Sequence, residues 1–116
     1  MNNLSERLRK FAIDIIIFLR SIPNTEEYLI INRQLIKSST SSGANYEESQ
    51  EASSEADFTN KYMNLLKEMR ESNYWLRVIN GTSQNEDIRQ ECKILINEST
   101  ELKNTLGSIC SKTERK

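Results

Sequence analysis

Three residue types are missing or scarce in this 116-residue chain. Histidine is absent, Pro23 is the only proline, and there are three glycines. With so few turn signals, the sequence predicts long helices. Without histidine, nucleophilic catalysis by a serine would depend on a lysine as the general base, and neither Lys61 nor Lys67 has an evident desolvating pocket. The sequence therefore predicts neither an enzyme nor a small-molecule substrate.

An excess of one charge sign is also lacking. Lys and Arg number 16 against 17 Asp and Glu, so the net charge of −1 gives no bulk attraction to nucleic acid or to acidic membranes. The most apolar run, FAIDIIIFL at positions 11–19, is interrupted by Asp14 and is shorter than the roughly 20 residues that span a bilayer. No small-residue cleavage site follows it. We expect a soluble, cytoplasmic protein without a membrane partner.

Metal and disulfide chemistry have little support. Cys92 and Cys110 would lie about 27 Å apart on one helix, because each residue adds about 1.5 Å, so they cannot bridge each other. Four acids recur near the end of the second predicted helix: Glu47, Glu48, Glu51 and Glu55. Helical bundles that hold two metals combine Glu with His, so a solvated acidic face is the better interpretation. Glu48 could also pair with Lys61. No cofactor or metal is expected.

Apolar residues recur at alternating steps of three and four, which is the pattern of helices that bury one face. The inward positions of the first helix are Leu4, Leu8, Phe11, Ile15, Phe18 and Ile22. Those of the third are Phe58, Tyr62, Leu65, Met69, Ser72, Leu76 and Ile79. Those of the fourth are Ile88, Cys92, Leu95, Ser99, Leu102, Leu106 and Ile109. The predicted helices span about 4–21, 25–52, 55–80 and 84–111. Four helices with this spacing and short connections indicate one all-α domain, an antiparallel up-and-down four-helix bundle with a left-handed twist.

Helix ends are predicted from capping residues. Ile22-Pro23 ends the first helix, and Asn24 with Glu27 forms a capping box for the second. Ser54 followed by Asp57 caps the third. Gly81 is expected in the left-handed conformation that closes a helix, and Ser83 is expected to cap the fourth.

The stretch from Ser38 to Gly43, SSTSSG, has two interpretations. As a linker it would cut the second helix short. As a helix it costs a few kcal/mol in propensity, at about 0.5 per Ser or Thr and about 1 for Gly, which close packing must offset. We favour the helix, with Gly43 opposite Met63 and Lys37 opposite Met69 on the third helix. The residues expected at this close contact are Ser39, Ser42, Gly43, Asn45, Phe58, Tyr62 and Leu66.

Several short strings resemble a known family. They are TSSGANYEE at 40–48, Ala52-Ser53, Asp57-Phe58 with Lys61, Lys67-Glu68, Glu71-Ser72 and Tyr74-Trp75-Leu76. In combination they are similar to the bacterial four helix bundle protein family, which includes proteins encoded in intervening sequences of 23S ribosomal RNA genes. The resemblance implies a four-helix bundle that assembles as a ring-like homo-oligomer, typically a pentamer, with no attached enzymatic activity. It also implies a distant relation to the accessory protein of diversity-generating retroelements, which works with a reverse transcriptase and nucleic acid.

The chain departs from the family pattern on its second helix. Ser42 stands where Ile or Val is frequent, and Ser49-Gln50 stands where small or apolar residues are usual. These changes make the second face of that helix more polar, which weakens the case for an oligomer contact there.

Helix one carries more apolar residues than one inward stripe needs, since they cover nearly every side of the helix. The surplus predicts contact with another copy of the chain. The residues expected at the contact are Ile13, Ile16, Ile17, Tyr74 and Trp75.

The leading hypothesis is a non-enzymatic homo-oligomeric scaffold or adaptor. The alternative is an accessory protein that binds RNA or DNA, or a nucleic-acid enzyme, through basic rims of the oligomer. The basic residues available for this are Arg7, Lys10, Arg20, Lys112, Arg115 and Lys116.

Overall fold

A computed structural model describes the backbone of residues 3–114 and the side chains of residues 3–112. The four helices are α1 (Leu4–Leu19), α2 (Glu26–Ser49), α3 (Glu55–Thr82) and α4 (Glu86–Glu114). α1 and α2 end two and three residues before the predicted positions, whereas α3 and α4 run two and three residues further. No β-strand occurs in residues 3–114. Arg115 and Lys116 lie outside the described residues.

The helices pack in chain order and the fourth returns to the first. α1 neighbours α2 and α4, and α3 neighbours α2 and α4, whereas the described parts of the diagonal pairs α1/α3 and α2/α4 have no Cα atoms within 8 Å of each other. Neighbouring helices are antiparallel: Tyr28 near the start of α2 bonds Thr82 at the end of α3. The bundle measures 46 × 22 × 22 Å. The predicted all-α, up-and-down four-helix bundle is confirmed, while its left-handed twist stays a prediction.

The core lies where the three-and-four spacing placed it. All six inward positions of α1 and its following turn are buried, and Leu8 and Ile15 are fully enclosed. On α3 and α4 the predicted stripes are also buried, except that Phe58 and Ile109 are half-buried at the ends. The spacing of the apolar residues alone was sufficient to identify the buried face, because side chains of a helix return to the same side every 3.6 residues.

Of the caps predicted for the starts of α2 and α3, one agrees with the structure and one differs. The side chain of Ser54 accepts a hydrogen bond from Asp57 N at 3.1 Å, as predicted. For α2, the cap is Thr25 rather than Asn24: its hydroxyl accepts from Tyr28 N at 3.3 Å. The shift by one residue follows from the extended backbone of Thr25, which is the conformation that an N-cap needs.

The turn between α3 and α4 also differs. Gly81 is helical and has no positive φ, so the prediction of a left-handed closing glycine is wrong. Ser83 is the C-cap of α3, and Asn85 caps α4 by accepting from Ile88 N at 3.0 Å. The hydroxyl of Thr82 bonds back to Val78 O, which satisfies a carbonyl of the last turn without a glycine cap.

The serine stretch is helical throughout, so the linker interpretation is wrong. Ser38, Ser39, Ser42 and Ser49 are all buried, and each hydroxyl donates to a carbonyl three residues earlier in α2. A buried hydroxyl is costly only when it lacks a partner, and the helix itself supplies one here. Polar residues therefore form part of the core-facing stripe of α2.

The predicted register between α2 and α3 is wrong. Ser38 faces Ser72, with 2.7 Å between their oxygens, and Tyr46 meets Tyr62 edge to face with ring centroids 6.1 Å apart. Lys37 and Met63, both predicted at the contact between α2 and α3, are exposed.

Gly43 faces α1 instead of α3. A Cβ built on it would lie 3.7 Å from Leu8 Cβ. In the observed orientation of α2, Gly43 lies toward α1 and Asn45 donates a hydrogen bond to Glu68 of α3. Among the residues predicted at the close contact, Ser39, Ser42, Tyr62 and Leu66 are buried, and Gly43, Asn45 and Phe58 are half-buried. The close approach of the helix axes stays a prediction.

Candidate functional site

The outer surface of α1 is apolar. Ile13 is 49% exposed and Ile17 is 55% exposed, while Ile16 between them is half-buried. Ile17 lines a groove with Ile94 of α4, which is 63% exposed. This α1/α4 groove, of about 510 Å³, also contains Lys10, Asp14 and Glu91. Ile94 was not predicted, although it could have been found as an isoleucine outside the inward stripe of α4.

Carboxylates outnumber cations around the α1/α4 groove. Lys10 pairs with Asp14 at 2.6 Å, and Arg7 pairs with Glu98 of α4 at 2.9 Å. The hydrogen bond to Asp14 raises the pKa of Lys10, and the one to Glu98 raises the pKa of Arg7. Two residues predicted to contact nucleic acid are thus engaged by acids of the same chain.

The remaining predicted cations are scattered. Arg20 and Lys112 are exposed, and neither forms an ion pair with a residue whose side chain is described. Arg20 follows the C-terminal end of α1 and Lys112 lies in the last turn of α4. The four described candidates therefore do not form one basic patch.

The two predicted aromatic contact residues lie on α3. Tyr74 is 59% exposed, Trp75 is half-buried, and their rings meet edge to face at 5.1 Å. Both line a groove of about 530 Å³, here called the α2/α3 groove, together with Gln34, Lys67, Arg70 and Glu71. Two cations face one carboxylate in this groove, which is the opposite balance from the α1/α4 groove.

The five residues predicted at the oligomer contact do not form one surface. α1 lies diagonally across the bundle from α3, and within the described residues no Cα atoms of the two helices come within 8 Å of each other. The α1/α4 groove and the α2/α3 groove consequently occupy opposite faces of the bundle. The α1/α4 groove is aliphatic with surplus acid, and the α2/α3 groove is aromatic with surplus base.

No arrangement typical of catalysis or metal binding appears among the residues whose side chains are described. They contain no group of three or more Cys, Asp or Glu able to hold a metal ion. Lys61 bonds Asp57 at 2.8 Å rather than Glu48. The thiol of Cys92 is buried and donates to Leu76 O at 3.0 Å, and burial raises its pKa to about 11, so it is protonated at neutral pH. Within the described part of the chain, no helix is both long and apolar enough to cross a bilayer.

Comparison with known proteins identifies the family. A family model described as 23S rRNA-intervening sequence protein matches residues 2–108. The chain belongs to the 23S rRNA-intervening sequence protein family. The resemblance of the sequence to these proteins is thereby confirmed, and the match covers all of α1 to α3 and most of α4.

A solved structure from a family with a similar description has the same fold. It is a protein of unknown function from the S23 ribosomal protein family of Bacteroides thetaiotaomicron, with 33% identity and a TM-score of 0.82. The alignment covers 92% of this chain and 97% of the other. No curated protein matches the chain.

Proposed function

We propose that this 23S rRNA-intervening sequence family protein is a non-enzymatic homo-oligomeric bundle that acts as a scaffold or adaptor. The observation that carries the proposal is the aliphatic surface formed by Ile13, Ile17 and Ile94, each about half exposed or more. Large contiguous apolar surface on a soluble chain is typical of an interaction site. A second copy is the partner that is always available to a chain, and the resemblance of the sequence leads us to expect a pentamer.

Light scattering after gel filtration tests the proposal. The wild-type chain is expected at a multiple of its 13.5 kDa monomer mass. Ile17→Glu and Ile16→Glu should lower that mass, because each buries a charge in an apolar contact. Circular dichroism of each variant confirms that the helices remain. A wild-type protein that stays at 13.5 kDa at high concentration contradicts self-association.

A second candidate function is nucleic-acid binding by basic rims of the oligomer. Arg20 and Lys112 support it, because both are exposed and unpaired among the described side chains. Repetition by symmetry would multiply these charges. Binding of labelled single-stranded RNA at low salt that disappears at moderate salt would support this function. Absence of binding at low salt removes it.

The cytoplasmic location remains a prediction.

A further inference from the structure

We infer that copies of the chain associate head to tail, with the α1/α4 groove of one copy against the α2/α3 groove of the next. The inference rests on the proposed self-association and adds which two surfaces meet. It follows from three properties of the grooves: their position, their apolar content and their charge.

The positions of the two grooves allow a contact between unlike surfaces. The two grooves lie on opposite faces of the bundle, since α1 and α4 form one side and α2 and α3 form the other. A two-fold dimer would use one of these surfaces twice and leave the second apolar patch exposed. A head-to-tail contact uses both surfaces of every copy, as in rings and helical assemblies.

The apolar residues of the two grooves differ in kind. The α1/α4 groove presents the branched side chains of Ile17 and Ile94, and the α2/α3 groove presents the rings of Tyr74 and Trp75. Aromatic residues packed against aliphatic ones are typical of the centres of protein interfaces.

Charge distinguishes this pairing from contact between like grooves. Asp14 and Glu91 face only Lys10 in the α1/α4 groove, and Glu98 and Glu101 add acid close to Arg7. In the α2/α3 groove Lys67 and Arg70 face only Glu71.

Lys37 of α2 and Glu68 of α3 are close enough to interact and carry opposite charges, so as a pair they do not alter this balance. Surplus acid opposite surplus base favours the unlike contact, while two like grooves would repel each other.

A mixing experiment tests the inference. Ile17→Glu disables the α1/α4 groove, and Tyr74→Glu disables the α2/α3 groove, at positions exposed enough to leave folding intact. Each variant alone should lose assembly, with an apparent dissociation constant roughly tenfold or more above that of wild type. Mixed in equal amounts, the two variants retain one intact pair of unlike grooves and should form a 1:1 dimer.

Leu29→Glu is the matched control, because Leu29 is a similarly exposed aliphatic residue on α2 that lines neither groove. It should leave the wild-type mass unchanged. If wild type assembles but the mixture stays monomeric, or if Leu29→Glu disrupts assembly equally, the head-to-tail contact is wrong and self-association still holds. If wild type itself is monomeric, both the inference and the proposed function fail.

Discussion

Helices α1 and α2 use their residues in opposite ways. α1 exposes isoleucines, with Ile13 and Ile17 about half in solvent, whereas α2 buries serines, with Ser39 and Ser42 fully enclosed. Burial thus follows position on the helix more closely than the polarity of the residue. Exposed isoleucines on α1 therefore provide apolar surface for a partner, whereas the buried hydroxyls of α2 find their hydrogen-bond partners within their own helix.

The largest expected effect comes from two neighbouring isoleucines of α1. Ile15 is fully buried and Ile17 is exposed, so Ile15→Ala should cost about 2–5 kcal/mol of unfolding free energy and Ile17→Ala within about 0.5. Urea denaturation at a concentration where the chain is monomeric measures both. Equal costs would mean that the isoleucines of α1 are not divided between core and surface.

The buried serines of α2 give the next largest effect. Ser42→Leu inserts a large side chain into an enclosed position and should cost about 1–3 kcal/mol, although Leu is the better helix former. Ala44→Leu, two residues further on an exposed position of the same helix, should change stability by less than about 0.5 kcal/mol. A stable Ser42→Leu variant would show that this part of α2 is loosely packed.

A smaller effect is expected at Gly43. The Cβ of Gly43→Ala would sit 3.7 Å from Leu8 Cβ, an ordinary contact distance, so it should stabilise the protein by about 0.5–1 kcal/mol. Gly81→Ala is the reference, because no atom lies within 4 Å of its added Cβ. Thermal unfolding compares them. A loss of stability at Gly43 with a gain at Gly81 would place α1 closer to α2 than the structure does.

The smallest effect concerns pH at the contact between α2 and α3. Burial raises the pKa of Glu68, although hydrogen bonds from Ser41 and Asn45 partly oppose this. Among charged neighbours, Glu71 raises this pKa further and Lys37 lowers it. A raised pKa means that the folded state holds the proton more tightly, so this contribution to stability is full below the unfolded pKa and is lost as pH rises through the folded one.

Glu68→Gln should therefore increase the melting temperature slightly at neutral pH and flatten its decline over the pH range just above the ordinary pKa of a glutamate. Melting curves across that range measure the effect. An unchanged pH profile, or a variant less stable at pH 7, would show that the hydrogen bond from Asn45 stabilises the Glu68 carboxylate by more than burial destabilises it.

Much of the fold could be predicted from the sequence because its signals are local. The stripe on α1 and the Ser54 cap depend on residues within one or two turns, and these predictions agree with the structure. The candidate site was harder to predict. Ile13, Ile17, Tyr74 and Trp75 were singled out as contact residues, but a local pattern does not say that α1 and α3 stand diagonally apart.

By itself the sequence determined that four helices form, which face of each apolar helix turns inward, and to which family the chain belongs. Tertiary structure alone decided the rotation of α2, the pairing of Ser38 with Ser72, and the placement of two oppositely charged grooves on opposite sides. The physical reason is that a serine hydroxyl can bond a carbonyl of its own helix whether it is buried or exposed. The serines of α2 therefore do not specify which face of that helix turns inward. The neighbouring helices specify it through long-range packing.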